Sequence, residues 1–138
     1  MRLVRIGWES WEVLAVCDHR GRCQVIEFLM EFRASSPAAA RSMLVLLQGE
    51  LPASGPPRGE PLCKPLGNGI FELRKQPKGK KLRVVWFYGV GQVVVCTYAF
   101  AKAERTPQLR IEQSRLLRKQ YLSAVAKKEI EIVDPEEI

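Results

Sequence analysis

The chain has 138 residues, a mass of 15.7 kDa and 46% hydrophobic residues, one domain's worth of sequence and enough to bury a core without disulfide or metal staples. No apolar run approaches the roughly 20 residues of a membrane helix, and the opening MRLVRIGWESWEV has no apolar signal segment, so the expected location is cytoplasmic. The net charge of +7 is unevenly spread: seven basic and seven acidic residues in Met1–Cys63, fifteen and three in Lys64–Lys128, and five acids without a base in Glu129–Ile138. Such a basic block favours a polyanion, with salt-dependent attraction to phosphates, although charge alone is equally compatible with a solvated surface.

In chain order, Arg2–Ile6 and Trp11–Asp18 are strand-like, and His19-Arg20-Gly21-Arg22 is a turn. Trp8 and Trp11, in short apolar runs, are expected to pack into the core. Gln24–Phe32 reads as a helix with Ile26, Leu29, Met30 and Phe32 on its apolar side. Ser35-Ser36-Pro37 is a helix start, because serine can cap free amides and proline loses no bond in the first turn. Ala40, Met43, Leu44, Leu47 and Leu51 then recur at helical spacing, predicting an amphipathic helix from Pro37 to about Gln48 that ends near Gly49. Leu51–Pro61, with four prolines and two glycines, reads as a loop. Lys64 follows, leading into the next element as either a solvated loop lysine or a cation that reaches the surface of Arg74.

Residues 69–107 hold three strand-like runs. In Ile70–Lys75, alternation places Ile70, Glu72 and Arg74 on one face and Phe71, Leu73 and Lys75 on the other. Gln76–Lys81, broken by Pro77 and Gly79 and carrying Lys78, Lys80 and Lys81, is expected to be an exposed basic hairpin tip. Leu82–Tyr88 is β-branched and aromatic on both faces, as in a strand covered on both sides, with Arg83 as its charged exception. Gly89 and Gly91 turn the chain into a third strand, Gln92–Phe100, which delivers Lys102 at its end. The expected geometry is an antiparallel meander that brings Arg74, Arg83 and Lys102 to one surface. Pro107 opens a last helix to about Lys128, with Leu109, Leu116, Leu117, Tyr121 and Val125 as its buried stripe and Arg110, Arg118 and Lys119 on other faces. In the tail EIEIVDPEEI, the alternating Ile130 and Ile132 either add an edge strand or leave the acids to fray or fold back across the basic face.

Several chemistries are not expected. Gly89 and Gly91 make a hairpin turn, not a phosphate-cradling loop. His19 is the sole histidine, in a polar turn with no carboxylate partner, so no nucleophile has a base beside it. Cys17, Cys23, Cys63 and Cys96 form no C-x-x-C pair, so neither a metal site nor a small-molecule cofactor is expected. What remains is a cluster of cations with one carboxylate. That kit suits metal-free RNA cleavage, in which the substrate's own 2′-hydroxyl attacks the adjacent phosphate. The protein must hold the backbone in line, remove one proton and stabilise the growing charge, and arginine's planar fork matches phosphate oxygens.

The order GIFELR, basic turn, LRVVWFY, glycine turn, an apolar strand ending F-x-K and then Thr106-Pro107 opening a helix resembles the HigB-like, phage-derived branch of the RelE toxin superfamily, over roughly Cys23–Leu122. Members usually carry two adjacent lysines after the phenylalanine; here Lys102 is followed by Ala103. The resemblance implies an α+β fold: an antiparallel sheet, made of the three-stranded meander plus an N-terminal strand, packed against two N-terminal helices, with a C-terminal helix. It implies a single domain at 1–128, with 1–22 as an N-terminal strand extension and 129–138 as an acidic tail. It further implies the toxin of a type II toxin–antitoxin module, cleaving mRNA on the ribosome and inhibited by a cognate helix-turn-helix antitoxin. Arg74 and Arg83 then contact phosphate and Lys102 supplies a further cation. Glu72 is the candidate base, with Lys64 and Tyr98 as weaker ones, although an arginine beside Glu72 keeps it ionised and a feeble base. Lys64, Lys78, Lys80, Lys81, Tyr98 and Arg105 are the expected RNA-binding residues. The alternative is a catalytically silent RNA- or antitoxin-binding phage protein on the same fold, and for Glu72 and Arg74 a surface ion pair of little worth. A DNA-binding phage protein is a weaker reading, because no groove-reading motif is present.

Overall fold

The central strand of the molecule is β5 (Leu82–Tyr88), in which every residue from Leu82 to Phe87 is buried, as its two-sided apolar sequence requires. A computed structural model describes residues 1–101 and 105–135, with the backbone alone at Lys78. β5 pairs antiparallel with β4 (Ile70–Lys75) on one side and β6 (Val93–Ala101) on the other, giving the expected meander. The tip between β4 and β5 is a single 3₁₀ turn at Pro77–Gly79.

The four-stranded antiparallel sheet expected from sequence is in fact seven-stranded and mixed. Its order is β3-β4-β5-β6-β2-β1-β7, with β1 at Arg2–Trp8, β2 at Glu12–Val16, β3 at Cys63–Gly67 and β7 at Glu131–Val133. Two pairings, β2 with β6 and β1 with β7, are parallel. β3 was hidden by Pro65 and Gly67, tolerable here because this is an edge strand. β7 is the edge strand that Ile130 and Ile132 allowed for, tied to β1 by ion pairs from Arg2 to Glu131 and from Arg5 to Asp134.

One sheet face is covered by α1 (Gln24–Ser35) and α2 (Pro37–Val45). Their Val25, Leu29, Met43 and Leu44 pack with Val13, Val84, Trp86 and Cys96. α2 does not stop near Gly49. It passes through a π-helical turn, Leu46–Glu50, into α3 (Leu51–Ser54), and only Gly55, at φ +83°, ends it. The wider turn has a cause at Pro52: in a regular helix its ring would collide with the Gln48 carbonyl, and the Leu51 amide instead reaches back to the Leu46 carbonyl. The loop expected from Leu51 therefore starts at Gly55. This helix lies against β1 at Gly7, where an added Cβ would stand 2.8 Å from both the Leu47 carbonyl oxygen and Pro52 Cγ. Gly7→Ala is expected to cost about 1–3 kcal/mol through this overpacking, seen as a lower urea midpoint at unchanged slope.

The opposite face is covered by α4 (Gln108–Ala126), whose Tyr121 packs with Leu3, Leu14, Ile70, Val85, Phe87 and Val95. The inner stripe of α4 is Ile111, Ser114, Tyr121 and Ala124, with Leu117 and Val125 partly buried. Leu109 and Leu116, expected inside, are exposed, because the helix presents its polar Ser114 to a polar spot on the sheet. Trp8, expected in the core, is 64% exposed and lies under the Arg5 guanidinium, 4.3 Å from the ring centre. Trp11 does pack, half-buried against Tyr88. Among the described residues no helix is long and apolar enough to cross a membrane.

Candidate functional site

The α4 face of the meander collects the chemistry. Partners across a ladder share a face, so the register sets Lys64 beside Glu72, Glu72 beside Val85 and Val85 beside Tyr98. The next row is Arg74, Arg83 and Phe100. Tyr98 and Phe100 join this face through a bulge. Trp86 faces Cys96 and Val85 faces Tyr98, so Thr97 is an extra residue that shifts the alternation by one. The Thr97 hydroxyl bonds to the Val85 carbonyl at 3.1 Å and to Ser114 Oγ of α4 at 2.7 Å, which fixes the bulge and seats the helix.

Glu72 is the hub. It is 2% exposed; Oε1 accepts from Arg74 Nε at 2.9 Å and lies 3.6 Å from Arg83 Nε, while Oε2 accepts from the Thr106 hydroxyl. Arg83 is 6% exposed, and each of its Nη atoms makes one hydrogen bond, to the Leu82 carbonyl (3.1 Å) and to Gln76 Oε1 (2.7 Å). Burial pushes the Arg83 guanidinium below its ordinary value, Glu72 opposes this, and Arg74 adds to it. Arg74 differs in being open: its side chain is 22% exposed, and at its Nη atoms the partner among the described residues is the exposed Glu60 carboxylate at 3.4 Å.

The expected residues thus divide. The fold brings together Glu72, Arg74 and Arg83 and puts half-buried Lys64 on the same face. Lys80 and Lys81 are exposed at the tip, beyond the Arg74–Arg83 row, and Arg105 is exposed next to Thr106. Lys102 lies outside the described residues, as does the side chain of Lys78. Tyr98 sits under Arg110, whose guanidinium carbon is 3.9 Å from the ring centre. Sequence reasoning missed Thr106 and Gln76 as partners of the cluster; Thr106 stands 34 residues from Glu72, and no local signal carries that distance. It also missed Arg115, which bonds at 2.7 and 3.1 Å to the Asn68 amide oxygen when that amide faces it. Arg118 packs against Gly69 one turn further on. Together they extend the cationic rim along α4 towards the β3–β4 turn.

The other titratable groups offer less. Burial pushes the Cys23 thiol up to about 11 and also raises Cys17, Cys63 and Cys96, so these thiols stay protonated and poorly nucleophilic. His19 is exposed in its turn. Among the described residues no three His, Cys, Asp or Glu side chains are grouped to hold a metal ion.

The family model described as Phage derived protein Gp49-like (DUF891) matches residues 30–131. This chain belongs to that family. No curated protein matches the sequence. The Gp49-like match runs from within α1 to the first residue of β7, so it holds the whole Glu72 cluster, β3 to β6 and α4. β1 and β2 lie outside it, inserted between β6 and β7 in the sheet.

Proposed function

We propose that this Gp49-like chain is the toxin of a type II toxin–antitoxin module, a HigB-like member of the RelE superfamily that cleaves mRNA on the ribosome without a metal and is held in check by a helix-turn-helix antitoxin. The observation that carries the reading is the pair of guanidiniums converging on Glu72 at one sheet face, with Arg74 partly open and Lys64 on the same face.

The roles follow from exposure. Arg74 is the phosphate-contacting residue, because its Nη edge is reachable and Glu72 fixes its orientation at Nε. Arg83 and Glu72 are positioning residues: at 6% and 2% exposure neither meets a substrate hydroxyl, so Glu72 is not the base. Lys64 supplies a cation on the same face for the charge that develops at the phosphate and leaving oxygen. The burial of Glu72 and Arg83 within their own ion-pair network favours one second reading, a non-cleaving RNA- or antitoxin-binding protein, since such a network also serves as pure structure.

Induced expression in bacteria of the wild type and Arg74→Ala, with growth curves and mapping of transcript 5′ ends, separates the two. Cleavage predicts growth arrest with new ends inside translated frames, reduced at least tenfold in Arg74→Ala, the scale of one lost charge-assisted contact in the transition state. A folded, soluble wild type that neither arrests growth nor creates ends would assign the surface to binding alone.

A further inference from the structure

Beside the Glu72 cluster lies a cleft of about 500 Å³ that the cleavage chemistry does not use, lined by Thr97, Tyr98, Arg110, Gln113, Leu116 and Gln120 among others. Its floor is closed by the buried Thr97–Ser114 hydroxyl pair. One wall is a layered platform. The Tyr98 ring stacks alongside Phe100 (5.9 Å between centres, 26° between planes), and Arg110 lies over Tyr98 at 3.9 Å. Arg110 Nη1 also donates to Gln113 Oε1 at 2.9 Å. A half-exposed arginine ordinarily samples many rotamers; this one is fixed by a ring beneath it and an amide at its edge.

We infer that this cleft is a nucleobase subsite, in which an unpaired base of single-stranded RNA stacks on the outer face of the Arg110 guanidinium. This rests on the RNA-cleaving reading and adds to it a place for the base. Three observations point to a base. Guanidinium and aromatic planes are the surfaces on which unstacked bases are held. The rim supplies amides for base edges: Gln113 engages its oxygen with Arg110 and retains its N–H donors, and Gln120 makes no hydrogen bond among the described residues. The Leu116 side chain, in a residue 57% exposed, gives the cleft an apolar wall that water solvates poorly.

Placement relative to the cations fits one strand of RNA crossing the meander. Tyr98 and Phe100 are on β6, one strand from Arg83 on β5 and two from Arg74 on β4. At about 4.8 Å per strand the platform is roughly 10 Å across the sheet from Arg74, so a phosphate at Arg74 and a base at Arg110 belong to the same or the adjoining nucleotide.

The test is fluorescence anisotropy with a 2′-O-methylated single-stranded RNA decamer, which cannot be cut by its own 2′-oxygen. A companion series carries one abasic ribose at each position in turn. The expected result is that one or two abasic positions weaken binding to the wild type roughly tenfold, the scale of one lost base stack. The same positions should be silent with Tyr98→Leu and with Arg110→Gln, each checked for an unchanged melting curve. Both residues are half-exposed, and Gln113→Ala, with a smaller loss at the same position, serves if either variant folds poorly. The inference is overturned if the decamer does not bind, if every abasic decamer binds as the intact one does, or if the variants keep the abasic sensitivity. The two readings fail separately. Transcript cuts with abasic-insensitive binding would remove the subsite and leave the cleavage reading, whereas base-dependent binding without cuts would remove cleavage and leave the subsite.

Discussion

Glu72→Gln should unfold this protein about 3–5 kcal/mol more easily than the wild type, a fall in melting temperature of roughly 10–20 °C for a domain of this size. The substitution keeps shape and removes charge. Arg83, 6% exposed, would then face Arg74 without the carboxylate that lies between them, and desolvation already disfavours its charged form. Arg83→Ala should cost a similar amount for the mirror-image reason, since it leaves a carboxylate at 2% exposure with Arg74 as its remaining cation. The decisive control is the double replacement Glu72→Met/Arg83→Met. Removing both charges leaves no uncompensated ion, so the double variant should be more stable than either single one. The opposing outcome is equally definite: if Glu72→Gln melts like the wild type and loses only RNA cleavage, Glu72 is a catalytic base after all and the positioning role fails. An alanine at Arg83 is therefore a poor probe of catalysis, because loss of activity there would follow from loss of fold.

The meander was legible in the sequence because its signals are local. Leu82–Tyr88 is apolar at every step but Arg83, the Pro77–Gly79 break marks the tip, and strict alternation placed Ile70, Glu72 and Arg74 on one face, where the structure has them. What was missed depends on partners far along the chain. β3 pairs with β4 despite Pro65, and β2, a segment already strand-like in sequence, lies parallel to β6 about 80 residues away. Where β6 runs past the end of β2, Gln24 closes the open edge: its amide both donates to the Ala99 carbonyl and accepts from the Ala99 N–H, each at 2.8 Å. A glutamine at the start of an amphipathic helix carries no mark of that task.

The site was legible by composition and illegible by exposure. Alternation could say that Glu72 and Arg74 stand together; it could not say that Thr106 closes the other carboxylate oxygen or that Gln76 and the Leu82 carbonyl take up Arg83. Those contacts bury the candidate base and leave Arg74 as the more exposed member of the cluster. The Thr97 bulge had a comparable effect. Alternation carried on from Val95 would turn Tyr98 and Phe100 towards the α1–α2 side, and one extra residue puts both beneath α4.

Tyr121→Ala should cost about 3–5 kcal/mol, the range for removing a large buried ring, and should do so by loosening α4. The contact of this helix with the sheet is thin for its 19 residues: of its buried positions Ser114 and Ala124 are small, leaving Ile111 and Tyr121 as the large ones. Tyr121 is 4% exposed, its ring meets Phe87 edge-on at 5.6 Å, and its hydroxyl accepts from the Val90 N–H at 3.1 Å. It also fills the space above Gly89, where an added Cβ would come within 2.7 Å of the hydroxyl. Tyr121→Phe keeps the ring and loses one hydrogen bond, so about 1 kcal/mol is expected. Urea unfolding gives both numbers, and amide hydrogen exchange locates them: faster exchange along 108–126 with the meander unchanged would show α4 detaching as a unit. Retention of stability in Tyr121→Ala to within about 1 kcal/mol would mean that Ile111 and the Thr97–Ser114 bond hold the helix by themselves. The functional consequence is direct, because α4 carries Arg110, Arg115 and Arg118. Under the proposed RNA-cleaving function, a chain with a loosened α4 should bind RNA more weakly even though Arg74, Arg83 and Lys64 remain in place on the sheet.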